Sequence, residues 1–165
     1  MNEEISLQTA RLELRPLPAA AAAALPGDRE TAARALGALL PAEWPQTDLL
    51  DVLPSQAAAA PDEECFGVWV MIERASQMVC GDIGFVGAPG PDGTVEVGYS
   101  VVPNRRRRGY ATEAARAIVE WALARPDVNA VIAACDADNL ASIRTLERLG
   151  FTRDSEADGQ LRWHA

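Results

Sequence analysis

Between Phe66 and Val102 three apolar runs follow one another with only short polar breaks, and this constrains the fold more than any other part of the chain. Phe66 to Glu73 (FGVWVMIE) is apolar and partly β-branched. Met78 to Val86 (MVCGDIGFV) follows after Ala75-Ser76-Gln77. Thr94 to Val102 (TVEVGYSVV) resumes after the turn residues Pro89-Gly90-Pro91-Asp92-Gly93. Such runs, bounded by turn chemistry, read as strands. Strands joined by so few residues pair antiparallel, because a parallel pair needs a crossover of a dozen or more residues. The middle of the chain is therefore an antiparallel meander.

The flanks read as a mixture of strand and helix. Arg11 to Arg15 alternates apolar with charged and predicts a first strand, stopped by Pro16 and Pro18. The next forty residues are helical in tendency. Ala19 to Ala24 is a run of helix formers, Asp28 to Leu40 has helical spacing with Asp28 as N-cap, and Leu49 to Ala60 lies between Pro45 and Pro61. After the meander, Ala111, Ala114, Ala115, Ile118, Val119 and Ala122 form one apolar helix face. Val128 to Cys135 predicts a strand buried on both faces. Asn139 to Leu149 predicts a helix with Leu140, Ile143, Leu146 and Leu149 on one side. Gly150 sits where a C′ glycine belongs, and Phe151 can pack over the last turn. Phe151 to Ser155 and Gln160 to His164 predict two short strands around Ala157-Asp158-Gly159. The order β-α-α-βββ-α-β-α-ββ is mixed α/β, and 165 residues without an evident linker suggest one domain, 1–165.

Composition excludes more chemistry than it suggests. All 15 basic residues are arginine, and His164 is the single histidine. A Schiff-base lysine, a Walker-type lysine and a two-histidine zinc site are ruled out, and no metal site is expected. Missing lysine is explained by compositional bias towards alanine and arginine. Cys65, Cys80 and Cys135 form no C-x-x-C pair and read as buried thiols. The acidic opening Met1-Asn2-Glu3-Glu4 does not resemble a signal peptide, and no apolar stretch approaches a membrane span, so a cytoplasmic location is expected. A net charge of −9 disfavours nucleic acid and anionic membrane as partners.

Against that acidic background, Pro103-Asn104-Arg105-Arg106-Arg107-Arg108-Gly109-Tyr110-Ala111-Thr112 stands out. Without these four arginines the net charge would be −13 rather than −9. The run joins a strand to an amphipathic helix. A helix N-terminus offers unpaired amides and partial positive charge, to which phosphate oxygens bind. Gly109 would let a pyrophosphate approach the backbone, and Ala111 keeps the next turn slim.

Arg106-Arg107-Arg108-Gly109-Tyr110-Ala111 fits the pattern [Q/R]-x-x-G-x-[G/A]. Asn139, Ser142, Gly150 and Phe151 fit N-x-x-[A/S]-x(7)-G-F. On both motifs the chain resembles the GNAT superfamily of acyl-CoA-dependent N-acyltransferases. Its opening strand, Gly81 to Phe85 and Glu96 to Tyr99 are similar to the RimJ/RimL-type branch, which acetylates protein N-termini and other amines. The resemblance implies a mostly antiparallel sheet of six to seven strands, splayed between the fourth and fifth, with about four flanking helices. It implies acetyl-CoA as cosubstrate, with the pantetheine arm on the backbone of Val101 and Val102. The pyrophosphate would be held by backbone amides of Arg107 to Ala111 with charge from Arg106 and its neighbours, Thr112 adding a hydroxyl. Asn139 would either bond the pantetheine or cap its helix, and Tyr110 reads as packing. Glu96 is the candidate base. Many relatives carry an acidic tyrosine seven residues after the asparagine, but here that residue is Leu146. Ser142, the proposed acid in the RimL-type branch, is the catalytic candidate instead. The expected function is acetyl transfer to a primary amine, either a protein N-terminus or a small molecule, by a monomer or homodimer. A catalytically silent acyl-CoA-binding or sensing module is the alternative.

Overall fold

The computed structural model describes residues 5–61 and 63–165. The acidic opening from Met1 to Glu4 lies outside the described residues. The elements in chain order are β1 (Leu7–Gln8), β2 (Leu12–Pro16), α1 (Ala19–Ala24), α2 (Arg29–Leu36), α3 (Thr47–Leu50), α4 (Leu53–Ala58), β3 (Val68–Glu73), β4 (Met78–Phe85), β5 (Thr94–Val101), α5 (Tyr110–Leu123), β6 (Ala130–Asp136), α6 (Leu140–Arg148), β7 (Thr152–Ala157) and β8 (Gln160–His164). The strands form one sheet in the order β1-β2-β3-β4-β5-β6-β8-β7. Every neighbouring pair is antiparallel except β5 and β6, which run parallel.

The expected meander is β3-β4-β5. Its two faces carry separate cores. Val95, Val97, Ile83 and Phe85 pack against Ala114, Ala115 and Ile118 of α5 and Leu146 of α6. Val70, Ile72, Val79 and Val102 pack against Leu17, Ala22, Leu36, Trp44 and Leu53 from the helical segment. That segment wedges α1–α4 onto one face and leaves α5 and α6 on the other.

Several expectations need correction. The mixed α/β, mostly antiparallel architecture is as expected, but among the described residues it has eight strands and six helices where six to seven and about four were expected. The helix expected to run to Leu40 stops at Leu36, because Gly37 turns left-handed at φ 73°. Leu39 then bridges to Met78 as a short addition to the sheet. The helix expected over Leu49 to Ala60 is two pieces, with Pro54 in the first turn of α4. β6 is not buried on both faces: Val131, Ala133 and Cys135 are buried and the residues between them are half-buried. Leu140 is 61% exposed, so the buried side of α6 begins at Ile143.

The end of α6 behaves as expected. Gly150 takes φ 83°, its amide donates to Glu147, and the Phe151 amide donates to Leu146 at 3.0 Å. This is the paired closure that a left-handed C′ residue provides.

Candidate active site

The parallel pair β5/β6 is short. Thr94, Val95, Glu96 and Val97 pair with Ala130, Val131, Ile132 and Ala133, and there the ladder ends. β5 continues to Val101 along β4, and β6 continues to Asp136 along β8, so a gap opens between them.

Alternation along each ladder decides which backbone groups face the gap. Glu96 accepts from Val86 and Val102 donates to Cys80, so even-numbered residues of β5 bond towards β4. Tyr99 and Val101 therefore turn their backbone towards the gap. On the other side, the Ala165 amide bonds to Val131 and the Ala137 amide to Gly159. Ala134 consequently faces β5. This corrects one expected role: the Val102 amide is committed to the Cys80 carbonyl at 2.9 Å, and its side chain is buried. The gap-facing pair is Tyr99 with Val101, not Val101 with Val102.

The gap leads to the arginine loop. Arg107 takes φ 64° and Gly109 φ 82°, and α5 starts directly after. The first bond of the helix ladder runs from the Glu113 amide to the Gly109 carbonyl, so the amides of Tyr110, Ala111 and Thr112 precede it. The arginines have different tasks. Arg105 and Arg108 lie 3.5 and 3.9 Å from Glu73, which also accepts from Tyr110 Oη at 2.5 Å and from Ser76. These hydrogen bonds, the one from Tyr110 first, hold the Glu73 carboxyl below its ordinary range against the opposing effect of burial. Arg106 turns back to the Val101 carbonyl at 2.9 Å and to Gln46 Oε1 at 3.0 Å. Gln46 donates to the same carbonyl and to Ser100 Oγ. Arg11 braces the loop from outside, bonding the Arg108 carbonyl and lying over the Tyr110 ring. Tyr110 is thus packing, as expected, with its hydroxyl anchored as well.

At the inner end of the gap is a cavity of about 470 Å³. Gly98 forms part of its floor, with nothing within 4 Å of the position a Cβ would take. Asn139 and Ser142 enter it from the start of α6, where Asn139 Oδ1 caps the helix by accepting from the Ser142 amide at 3.1 Å. The capping reading of Asn139 is the one the structure adopts. Ser142 Oγ is 2.8 Å from Tyr99 Oη. Burial raises the Tyr99 phenol above its ordinary value, so it stays protonated and able to donate. Leu146 and, from β5, Tyr99 also line this cavity.

Glu96 is half-buried on the same face of β5 as Gly98 and Ser100, and is not among the residues lining the cavity. The carboxylates that do line it are Asp48, Asp82 and Asp136. Asp82, opposite Ser100 on β4, accepts from Trp44 Nε1 at 3.0 Å. Burial pushes its carboxyl up to about 7, with the Trp44 bond opposing and Asp48 reinforcing the shift. The sequence reading overlooked Asp82 as a site residue. Its signal was a carboxylate inside the otherwise apolar run MVCGDIGFV. Among the described residues no cluster of His, Cys, Asp and Glu could hold a metal ion. No helix among them is long and apolar enough to cross a membrane.

A left-handed loop at a helix start, reached through a gap in a sheet, is the geometry of the acyl-CoA-dependent transferases that the motifs resemble. Comparison with known proteins decides the family, since the acetyltransferase (GNAT) domain matches residues 11–152. The chain belongs to the GNAT acetyltransferase family. This GNAT chain is 30% identical over 162 residues to the uncharacterized N-acetyltransferase YjdG of Bacillus subtilis (strain 168), covering 96% of each. Its fold is similar to that of RimL, a ribosomal L7/L12 alpha-N-protein acetyltransferase, with a TM-score of 0.70, 14% identity and coverage of 99% of this chain and 95% of that one. It is also similar to the microcin C7 self-immunity acetyltransferase MccE in complex with acetyl-CoA and AMP, with a TM-score of 0.65, 16% identity and coverage of 94% and 92%. The GNAT chain is an acyltransferase with the mixed α/β fold of its family.

Proposed function

We propose that this GNAT chain is a single domain that transfers an acetyl group from acetyl-CoA to a primary amine by direct attack on the thioester. The observation carrying this reading is the gap beyond Val97 and Ala133, continuous with the loop at the start of α5. The backbone of Tyr99 and the amide of Val101 on one wall, and Ala134 on the other, suit an extended amide-bearing arm, the Val101 carbonyl being taken by Arg106 and Gln46. The amides of Tyr110, Ala111 and Thr112 suit a pyrophosphate, with Arg106 to Arg108 supplying charge. MccE, a structural neighbour, is described in complex with acetyl-CoA, which supports the same cosubstrate here.

In this reading the thiolate leaves beside Ser142, and the Ser142–Tyr99 pair provides its proton. A carboxylate on the Gly98 face receives the proton of the amine, Glu96 and Asp82 being the two present. RimL-type neighbours favour a protein N-terminus as acceptor, but a small amine satisfies the same chemistry.

A second reading, a silent acyl-CoA-binding module, is favoured by Leu146 standing where relatives have their tyrosine. One experiment separates the two. Acetyl-CoA at 100 times its Kd should stabilise the protein by about 2.7 kcal/mol, read as a rise in Tm. A thiol-release assay over amines and short peptides should then show turnover. Stabilisation without thiol release supports the silent module; no stabilisation overturns both.

A further inference from the structure

We infer that the cavity beside β4 is the acceptor site, that it takes a primary ammonium borne on a compact apolar group, and that Asp82 is the group that takes its proton. This deepens the transferase reading and rests on it. Three observations carry it.

The first is charge. The charged residues lining the cavity are Asp48, Asp82 and Asp136, all acidic. Asp136 is occupied by the Gln160 side-chain amide on the β8 side. Asp48 and Asp82 remain for the incoming cation. Arg106 is held by Val101 and Gln46.

The second is position. Asp82 stands across from Ser100, and Gly98 lies two residues before Ser100 on β5, bare of any side chain. Glu96 lies on the far side of Gly98, roughly 13 Å along the strand from Ser100 and outside the cavity. The groups facing the Asp82 carboxylate are the Trp44 indole from the loop before α3, Asp48 from α3, Ser100 from β5 and apolar Val70 from β3. The indole N–H fixes one carboxylate oxygen and leaves the other for the amine. A carboxyl raised towards 7 by burial is matched to accepting a proton near neutral pH.

The third is the wall. Around the aspartates the cavity is lined by Leu49, Val52, Phe85 and Val86, of which Val52 and Val86 are exposed at the mouth. An apolar group next to the amine would cover them; a second anionic group would meet Asp48.

The step balances without an added reagent. The ammonium gives one proton to Asp82. Its lone pair bonds to the thioester carbonyl carbon, and the carbon–sulfur bond breaks as the carbonyl re-forms. Sulfur takes a proton from the Tyr99–Ser142 pair. The second proton lost by nitrogen restores that pair through solvent, and Asp82 releases its own proton to water.

The test is the pH dependence of kcat/KM in full-length protein, with acetyl-CoA and two kinds of acceptor: an aliphatic primary amine and a tripeptide amide with an apolar first residue. The wild type should lose activity as pH falls through about 7. Asp82→Asn, which still accepts from Trp44, should lower kcat by at least about 100-fold and abolish that limb, while acetyl-CoA raises its Tm as in wild type. Trp44→Phe removes a bond that favours the charged carboxylate and should move the limb to higher pH. Glu96→Gln should keep the limb, and an amine carrying a neighbouring carboxylate should be the poorer acceptor. Asp82→Asn turning over within about threefold of wild type overturns the assignment, and so does loss of the limb in Glu96→Gln or an unmoved limb in Trp44→Phe. A wild type that binds acetyl-CoA but acetylates neither acceptor overturns the transferase reading itself. Turnover of the amine alone or the peptide alone tells which source of the apolar ammonium fits.

Discussion

In the proposed mechanism Tyr99 stands in for the tyrosine whose position Leu146 occupies. On strand parity it points to the same face as Val97, towards α6, where its hydroxyl meets Ser142 at 2.8 Å. Tyr99→Phe should lower kcat by about 10-fold while leaving the KM for acetyl-CoA unchanged. The deficit should shrink above a pH of about 8.5, where a free thiolate leaves without a proton. A deficit that is constant with pH would assign Tyr99 to packing alone. Ser142 was legible from its motif, but its partner was not: residues 43 apart in sequence meet only once the parallel pair has formed. Asp82 was hidden differently. A strand aspartate flanked by glycine and isoleucine declares burial, but only the tertiary structure supplies the Trp44 indole that makes burial tolerable.

At the scale of elements, the loop into α5 was the most legible part of the site. Arginines followed by a glycine at a strand-to-helix junction marked the loop, and the structure adds that Gly109 is left-handed at φ 82°. Gly109→Glu should abolish the acetyl-CoA-induced rise in Tm, because it places a carboxylate against the phosphates and forces a side chain into a left-handed position. Retained stabilisation would move the pyrophosphate elsewhere. The sequence could not assign the four arginines individually, since that depends on partners far away: Glu73 for Arg105 and Arg108, Gln46 for Arg106. The helical segment was the least legible element. Its alanines suit helix anywhere, so the breaks fall where single residues force them, at Gly37 and Pro54.

At the scale of the molecule, α5 is tied to the N-terminal strand region through Glu113. This carboxylate accepts from Thr9 Oγ1 at 2.5 Å and from the Arg11 backbone and side chain, each at 2.8 Å. Burial works to raise its pKa, but the bonds from Thr9 and Arg11 outweigh it, and the net shift is downward. A lowered folded-state pKa contributes stability that is present above the unfolded value and lost as pH falls through the folded one. Glu113→Ala should therefore cost about 2 kcal/mol at pH 7 in a denaturation experiment, and less in acid below its folded-state pKa. An equal cost at both pH values would reduce Glu113 to a packing role. The fold class was legible because the meander and the two later helices carry clear periodicities. The eighth strand was not, since Leu7–Gln8 is two residues long and exists only by pairing with β2.

The gap between β5 and β6 has one further consequence. Where a ladder stops, a sheet acquires exposed edges, and an unpaired edge is a template for another protein chain. Here the two edges lie inside the sheet, converging at Val97 and Ala133, with α5 and α6 packed across the same face. In the proposed function these inner edges are covered by the cosubstrate's amide-bearing arm rather than by a second polypeptide. The fold thereby keeps this unpaired backbone inside the sheet, away from the outer edges at which chains ordinarily pair and aggregate.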